Sequence, residues 1–273
     1  MNTRANFELN KIYRDDYGRP NGILLMNKEA GISSHDLVDK VRRKLGTKKV
    51  GHAGALDVFS SGLMLILVGK ATKLANELLG LDKAYIARMV FGLFNYTQDP
   101  EGELLSIKSR VLPEKNAISV LLQNMIGANK QFVSIYSSVK VNGVKLRKLL
   151  RDPRYIFEIE EKDDIKKIIL KRRESQELIK EVVVPRRDIT IFDIKLLNSG
   201  FLKGADLPFQ GLAPEEEYGF ADIYVKCSKG TYIRQLGEDI AKALGTTAVL
   251  AQLQRCELGQ YDLTKTIGLD EIE

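Results

Sequence analysis

Apolar positions along the chain follow two spacings, one typical of strands and one typical of helices. The runs Gly22–Met26 and Leu63–Val68 are short and wholly apolar, which predicts strands buried on both faces. Ala84–Phe91 and Ala221–Cys227 alternate apolar with polar positions, which is typical of strands with one face covered. Ile189–Leu196 also alternates, but with a slip of register that indicates a bulge.

Four other segments have the apolar spacing of helices. They are a helix that Ser33 or Ser34 caps and Gly46 ends, a helix opened by Gly69–Thr72, one over Pro113–Ile126 and one over Ile233–Leu244. Strands and helices mix without strict alternation, which favours an α+β fold with a mixed, mainly antiparallel sheet flanked by helices.

Two segments do not fit this pattern. Residues 152–180 are charged and helix-prone, and we expect a surface insertion without a core of its own. Residues 200–219 are rich in Gly and Pro, which predicts a long loop. Neither looks like a domain boundary, so we expect residues 1–273 to form a single domain.

Composition narrows the class of protein. The 273 residues carry a net charge of +6, which is compatible with nucleic acid without demanding it. Two cysteines, Cys227 and Cys256, cannot build a disulfide framework, so we expect a reducing, cytoplasmic environment. The apolar runs are too short to span a membrane, and only two histidines, His35 and His52, are present. We therefore expect no membrane association and no metal site.

One face of the first predicted helix is basic. This basic face comprises Lys40, Arg42, Arg43 and Lys44, with Lys48 and Lys49 just beyond. A solvated helix face and a phosphate-contacting stripe explain the pattern about equally well.

The glycine-rich segment Gly51–Asp57 is a candidate site. The nearby pair Gly69-Lys70 does not complete a P-loop. Ala71 follows it where the motif needs Ser or Thr, and Met64 stands at the position of the first glycine. Asp57 could be a nucleophile, a base or a turn cap, and beside glycines the turn cap is the commonest of the three.

A second candidate is Lys229–Arg234, at the start of the last predicted helix. A cation in the first turn of a helix meets an unfavourable dipole, which makes more sense if Arg234 points at an acid. Pairing with Asp57 would orient that carboxylate as a nucleophile requires, whereas the plain alternative is a surface arginine. Tyr85 is either a core residue or a stacking platform for a base.

These segments together resemble a known family. Lys49–Asp57, continuing through Ser61-Gly62-Leu63 to Gly69–Lys73, resembles the catalytic motif of the TruB family of bacterial tRNA pseudouridine-55 synthases. Further blocks agree in order: Lys28 with Gly31 and Ser33; Lys83-x-Tyr85; Thr97-x-Asp99 with Gly102; Tyr136–Lys140 with Gly143; Lys229–Arg234; and Leu250, Leu253 and Arg255. The resemblance covers residue 22 to the C-terminus.

The resemblance implies a pseudouridine synthase fold with RNA-binding loops and a cofactor-free isomerisation. The implied partner is tRNA, bound by a monomer at its T-arm, with position 55 as the target. In that family residues 136–154 would form a loop that grips RNA, and we expect no C-terminal RNA-binding PUA domain. A uridine in folded RNA must be flipped out before it can react, which fits a pocket holding an acid, a cation and an aromatic ring.

The same resemblance implies roles for seven residues. Asp57 would be the nucleophile, attacking either the base or the sugar carbon, and Arg234 would pair with it. Tyr85 would stack on the flipped uracil. The others are His52 beside the extruded nucleotides, Tyr232 and Leu250 in the pocket wall, and Lys28 supporting the loop or contacting RNA. The sequence departs from the family pattern at Glu29, Val58, Val133-Ser134, Arg147-Lys148 and Val249.

Other functions fit the same residues less specifically. A pseudouridine synthase with another RNA target would share every motif, and an RNA-binding protein without chemistry would need the basic face but not Asp57. Asp57 therefore separates an enzyme from a binding protein.

Overall fold

A computed structural model describes residues 7–141, 143–162 and 164–272. Its helices are α1 (Ser34–Leu45), α2 (Ala75–Leu79), α3 (Lys115–Asn124), α4 (Leu146–Leu150) and α5 (Ile233–Ala243). Its strands are β1 (Lys11–Arg14), β2 (Pro20–Lys28), β3 (Val50–His52), β4 (Ser61–Val68), β5 (Lys83–Phe91), β6 (Leu93–Phe94), β7 (Ser106–Ile107), β8 (Gly127–Phe132), β9 (Lys140–Val141), β10 (Val144–Lys145), β11 (Tyr155–Lys162), β12 (Ile165–Arg172), β13 (Leu178–Val183), β14 (Arg186–Lys203), β15 (Glu217–Cys227), β16 (Ala248–Leu258) and β17 (Tyr261–Asp262).

A ten-stranded sheet forms the centre of the molecule. Its strand order is β1-β2-β4-β16-β5-β15-β14-β8, with β3 beside β4 and β17 beside β16. Among the described pairings of this sheet, β16 with β4 is parallel and the others are antiparallel. The expectation of an α+β fold with a mainly antiparallel sheet is confirmed.

Residues Leu63–Val68 of β4 are all apolar because both faces of the sheet are covered there. Its residues Met64, Ile66 and Val68 belong to the main core cluster, which also includes apolar residues of α1, α3 and α5. The alternate residues, Leu63 and Leu65 among them, pack in a second cluster on the opposite face. A strand buried on both faces has no polar positions, which explains the continuous apolar run in the sequence.

The first helix has the ends that its sequence predicts. Ser33, and not Ser34, is the N-cap: its hydroxyl accepts from the backbone N–H of Asp36, whose carboxylate accepts from the N–H of Ser33. Gly46 ends the helix in the left-handed conformation, at φ 62°. The helix expected to open at Gly69–Thr72 is instead a 3₁₀ turn that leads into the short α2.

The prediction that residues 152–180 are helix-prone was wrong. Strands β11, β12 and β13 form a separate three-stranded antiparallel sheet there. Along β12, Ile168 and Leu170 are buried and alternate with less buried neighbours, so a period of two is present among the many charges. Both residues pack in a cluster with Val133 and Leu146, so the segment shares its buried residues with the part of the chain that precedes it.

The long loop predicted over residues 200–219 is shorter than expected. Strand β14 continues through Lys203 and β15 begins at Glu217. Gly219, which the sequence places in a loop, lies in β15. A Cβ there would be 2.2 Å from the backbone oxygen of Val111, so this close approach requires glycine. The predicted bulge is confirmed, because the register of β14 shifts at two places, Ile191/Asp193 and Leu196/Asn198.

The parallel contact between β4 and β16 depends on Gly62. Its φ is +113°, and a Cβ there would be 2.3 Å from the backbone oxygen of Arg255. We expect Gly62→Ala to lower the free energy of unfolding by about 2 kcal/mol or more, measured by urea denaturation followed by circular dichroism.

The matched control is Gly51→Ala. Gly51 lies on the neighbouring β3, and a Cβ there has nothing within 4 Å. Equal stability of the two variants would contradict the close approach at Gly62.

Candidate active site

Asp57 lies on the loop between β3 and β4, and the side chain of Ser34 anchors that loop. The buried Ser34 hydroxyl donates to the Leu56 carbonyl at 3.0 Å and accepts from the Leu56 N–H at 2.8 Å. The first turn of α1 thus fixes the residue directly before Asp57.

Lys28 also contacts the loop that carries Asp57. Its side chain is fully buried, and Nζ donates to the carbonyls of Glu29 at 2.8 Å, Ile32 at 2.7 Å and Val58 at 3.4 Å. Burial lowers the pKa of Lys28 to about 8, and the nearby Asp57 carboxylate opposes that shift. In the structure Lys28 therefore connects the turn after β2 to the loop that carries Asp57.

Arg255 on β16 is a second buried cation beside the loop. Its guanidinium donates to the Leu63 carbonyl at 2.7 Å and to the Gly54 carbonyl at 3.1 Å. It is paired across the strands with Tyr85 on β5. Burial raises the pKa of the Tyr85 phenol, and the Arg255 guanidinium opposes that rise. Sequence analysis placed Arg255 in a motif without a role, because a carbonyl partner leaves no sequence signal.

Arg234 lies at the centre of the site. Its Nε is 2.9 Å from Asp57 Oδ2, and a terminal nitrogen is 3.3 Å from Asp57 Oδ1, so the two planar groups are paired side by side. The other terminal nitrogen donates to Asp99 Oδ2 at 3.1 Å and to the Thr97 carbonyl at 2.7 Å. The Arg234 side chain is 9% exposed and that of Asp57 is 41% exposed, so Asp57 presents its carboxylate to the solvent side.

Asp99 is a site residue that sequence reasoning did not assign. Its side chain is only 5% exposed. Burial raises the pKa of the Asp99 carboxyl above its usual range, and Arg234 opposes that rise. The one sequence signal was its place in the block Thr97-x-Asp99, which says nothing of its distance from Arg234.

A cavity of about 360 Å³ opens over Asp57. Asp57, Arg234 and His52 line it, as do Asp99 and Tyr136. The structure thus brings three of the seven predicted site residues together at one opening.

The other predicted residues lie around that cavity without lining it. Tyr85 and Leu250 are buried in the main core cluster. Tyr232 precedes α5, and its backbone N–H and carbonyl are both held by the side chain of Gln131. Lys28 is buried beneath the loop.

His52, which lines the cavity, has an imidazole nitrogen without a hydrogen bond in the described part of the chain. Its Nδ1 is buried without a hydrogen-bond partner among the described residues. Burial lowers the pKa of His52, and the nearby Arg255 adds to that shift. A neutral imidazole is therefore favoured at the cavity wall.

Two structural features are absent from the described residues. They contain no group of three or more His, Cys, Asp or Glu side chains placed to hold a metal ion. None of their helices is long and apolar enough to cross a membrane.

Comparison with known proteins identifies the family. Residues 42–185 match the family model of the TruB family pseudouridylate synthase N-terminal domain. The chain is 36% identical over 252 residues to a tRNA pseudouridine synthase B of Caldicellulosiruptor saccharolyticus, covering 92% of this chain and 72% of that protein. It is 37% identical over 242 residues to one of Fusobacterium nucleatum, covering 89% and 69%. The chain belongs to the TruB family of pseudouridylate synthases.

Solved structures agree on the fold. The chain resembles one chain of a Cbf5-Nop10-Gar1 complex with a TM-score of 0.54 at 21% identity, covering 95% of this chain and 57% of that one. It resembles a chain of an H/ACA RNP bound to a substrate RNA containing 2′-deoxyuridine with a TM-score of 0.53 at 20% identity, covering 97% and 59%. The expected pseudouridine synthase fold is confirmed.

The buried ammonium of Lys28 makes stability depend on pH. Folded Lys28 loses its proton near pH 8, whereas the unfolded residue keeps it to about 10.5. Between these values the unfolded state binds more protons, so this residue's contribution to stability rises with pH. We expect the free energy of unfolding of the wild type, measured in urea, to gain on that of Lys28→Met from pH 8 to pH 10. A constant difference between the two proteins would contradict the lowered pKa.

Proposed function

We propose that this protein converts a uridine of tRNA to pseudouridine, at position 55 in the T-arm, with Asp57 as the nucleophile. Membership of the TruB family supports the reaction, and the name tRNA pseudouridine synthase B of the relatives supports tRNA as the substrate. The observation that carries the role of Asp57 is its carboxylate, half-exposed at a cavity and paired with a buried arginine.

The proposed reaction moves a bond within one nucleotide. Asp57 attacks the flipped uridine and forms a transient covalent bond to it, and the bond between N1 of uracil and C1′ of ribose breaks. A bond between C5 and C1′ then forms, and the bond to Asp57 breaks, which returns the free carboxylate. The hydrogen on C5 leaves as a proton to solvent, and N1 takes up a proton. No electron acceptor or donor is needed, so side chains alone are sufficient.

Arg234 orients the nucleophile. A side-by-side pair with the guanidinium fixes the plane of the Asp57 carboxylate and holds one of its oxygens at the cavity. Asp99 and the Thr97 carbonyl in turn fix the far side of the guanidinium. The geometry is thus set before the substrate binds, which lowers the entropic cost of reaching the transition state.

The flipped base is received by the remaining site residues. We propose that Tyr85 stacks on the uracil beside Tyr232 and Leu250, which requires the cavity to deepen towards these three residues when the base enters. The neutral imidazole of His52 occupies space left by the extruded nucleotides. These contacts offset the stacking energy that the RNA loses when the uridine leaves its helix.

Asp57→Asn tests the proposal, because asparagine keeps the size of the side chain and removes its nucleophilic charge. We expect release of tritium from 5-tritiated uridine in tRNA to fall at least ~10³-fold. The dissociation constant for the same tRNA should stay within about threefold, because one residue of a large RNA interface changes.

The matched control is Asp193→Asn, which removes a carboxylate from β14. It should keep full activity. Tritium release by Asp57→Asn at the wild-type rate would contradict the role of Asp57. A wild type that binds tRNA without releasing tritium would instead indicate an RNA-binding protein without chemistry.

A further inference from the structure

Two surface grooves continue outward from the catalytic cavity. The first lies between α4 and the start of β11 and is lined by residues that include Arg147, Lys148 and Arg154. The second lies beside the turn between β12 and β13 and is lined by Pro153, Arg154, Tyr155, Arg172, Arg173 and Glu174.

The cavity and the grooves share wall residues. Arg147 and Arg151 line both the catalytic cavity and the first groove. Arg154 and Tyr155 line both grooves. The three depressions are therefore neighbours along one path from Asp57 to the turn between β12 and β13.

The two grooves of this path are strongly cationic. Two carboxylates, Asp152 and Glu174, line the two grooves, against six cations: Arg147, Lys148, Arg151, Arg154, Arg172 and Arg173. Asp152 is paired with Arg154 at 2.6 Å. Within residues 7–141, 143–162 and 164–272, ion pairs leave four of these cations without a carboxylate: Arg147, Lys148, Arg172 and Arg173. Unpaired cations along a groove are the feature that attracts a phosphate backbone.

The three-stranded sheet is fixed to the helix that carries Arg234. The ammonium of Lys166 on β12 lies 3.5 Å from Glu161 and 3.4 Å from Glu238 on α5, and its side chain is only 4% exposed. Lys242 on α5 also pairs with Glu161. Because these ion pairs hold the sheet to α5, the path keeps a set position relative to Asp57.

An aromatic ring lies where the two grooves meet. The Arg154 guanidinium covers the Tyr155 ring, with its carbon 5.3 Å from the ring centre. Arg173 donates to the Pro153 carbonyl at 3.0 Å, which ties the turn after β12 to this segment. Cations along a groove attract the phosphates of RNA, and an aromatic ring beside them offers a surface on which a base stacks.

We propose that the second groove, beside the turn between β12 and β13, is an RNA-binding surface that extends the catalytic site, with Arg172 as its outermost phosphate contact. The inference rests on the proposed function only in taking RNA as the substrate. It assigns a purpose to the charged segment that sequence analysis left without one.

Arg172 gives the sharpest test, because its side chain makes no hydrogen bond to the described residues and does not line the catalytic cavity. We expect Arg172→Gln to weaken binding of an unmodified tRNA transcript at low salt about threefold, and Arg172→Glu about tenfold. The slope of log affinity against log salt should fall by about one for Arg172→Gln. At saturating tRNA, kcat should stay within about twofold for both.

The matched controls are Lys195→Gln and Lys195→Glu, which make the same charge changes at an exposed lysine of β14 that lines none of these depressions. Arg172 variants that bind with the affinity and salt slope of the Lys195 variants would overturn the inference. Failure of the proposed function would look different, because the wild type itself would then form no pseudouridine.

Discussion

The buried guanidinium of Arg234 is the interaction on which the site depends. A cation removed from water is costly unless its donors are filled, and here two carboxylates and a backbone carbonyl fill them. These partners belong to segments far apart in the chain: the loop that carries Asp57 and the segment that carries Asp99. Arg234 itself opens α5, so one side chain joins three parts of the fold at the cavity.

The fold supplies the rest of the geometry through backbone contacts. The loop around Asp57 is held by the hydroxyl of Ser34, the ammonium of Lys28 and the guanidinium of Arg255, each bonded to main-chain atoms. Two of these three groups are buried cations bonded to carbonyls. The partners of these two cations are carbonyl dipoles rather than carboxylates. Such fixed polar groups act without rearrangement when the reaction takes place.

Much of the fold was predictable, because local pattern and tertiary packing agree. The apolar spacing and the caps at Ser33 and Gly46 predicted α1, and the apolar run of β4 predicted a strand buried on both faces. The three-stranded sheet was missed because charged residues occupy half of the positions of β11 and β12. Charged residues such as Lys171 and Glu158 pair across these two strands, and their charges obscure the alternation of apolar and polar positions in the sequence.

The features of the site that could be predicted are those that depend on charge or on the resemblance to the family. The pairing of Asp57 with Arg234 was proposed from an arginine placed against a helix dipole, and the structure has that contact. Asp99 and Ser34 contact residues that are remote in the sequence, Arg234 and Leu56. A single sequence gives no sign of such contacts. The role of Tyr85 stays a prediction, as do the single domain, the monomer and the cofactor-free reaction.

The most direct test of the account is the activity of Arg234→Lys. Lysine keeps the charge, but a single ammonium cannot bond side by side with Asp57 and also reach Asp99 and the Thr97 carbonyl. We expect kcat for pseudouridine formation in tRNA to fall at least ~100-fold while KM stays within about threefold and the urea transition remains cooperative. A kcat within a few-fold of the wild type would show that charge alone is sufficient, and would contradict the central place of the planar pair.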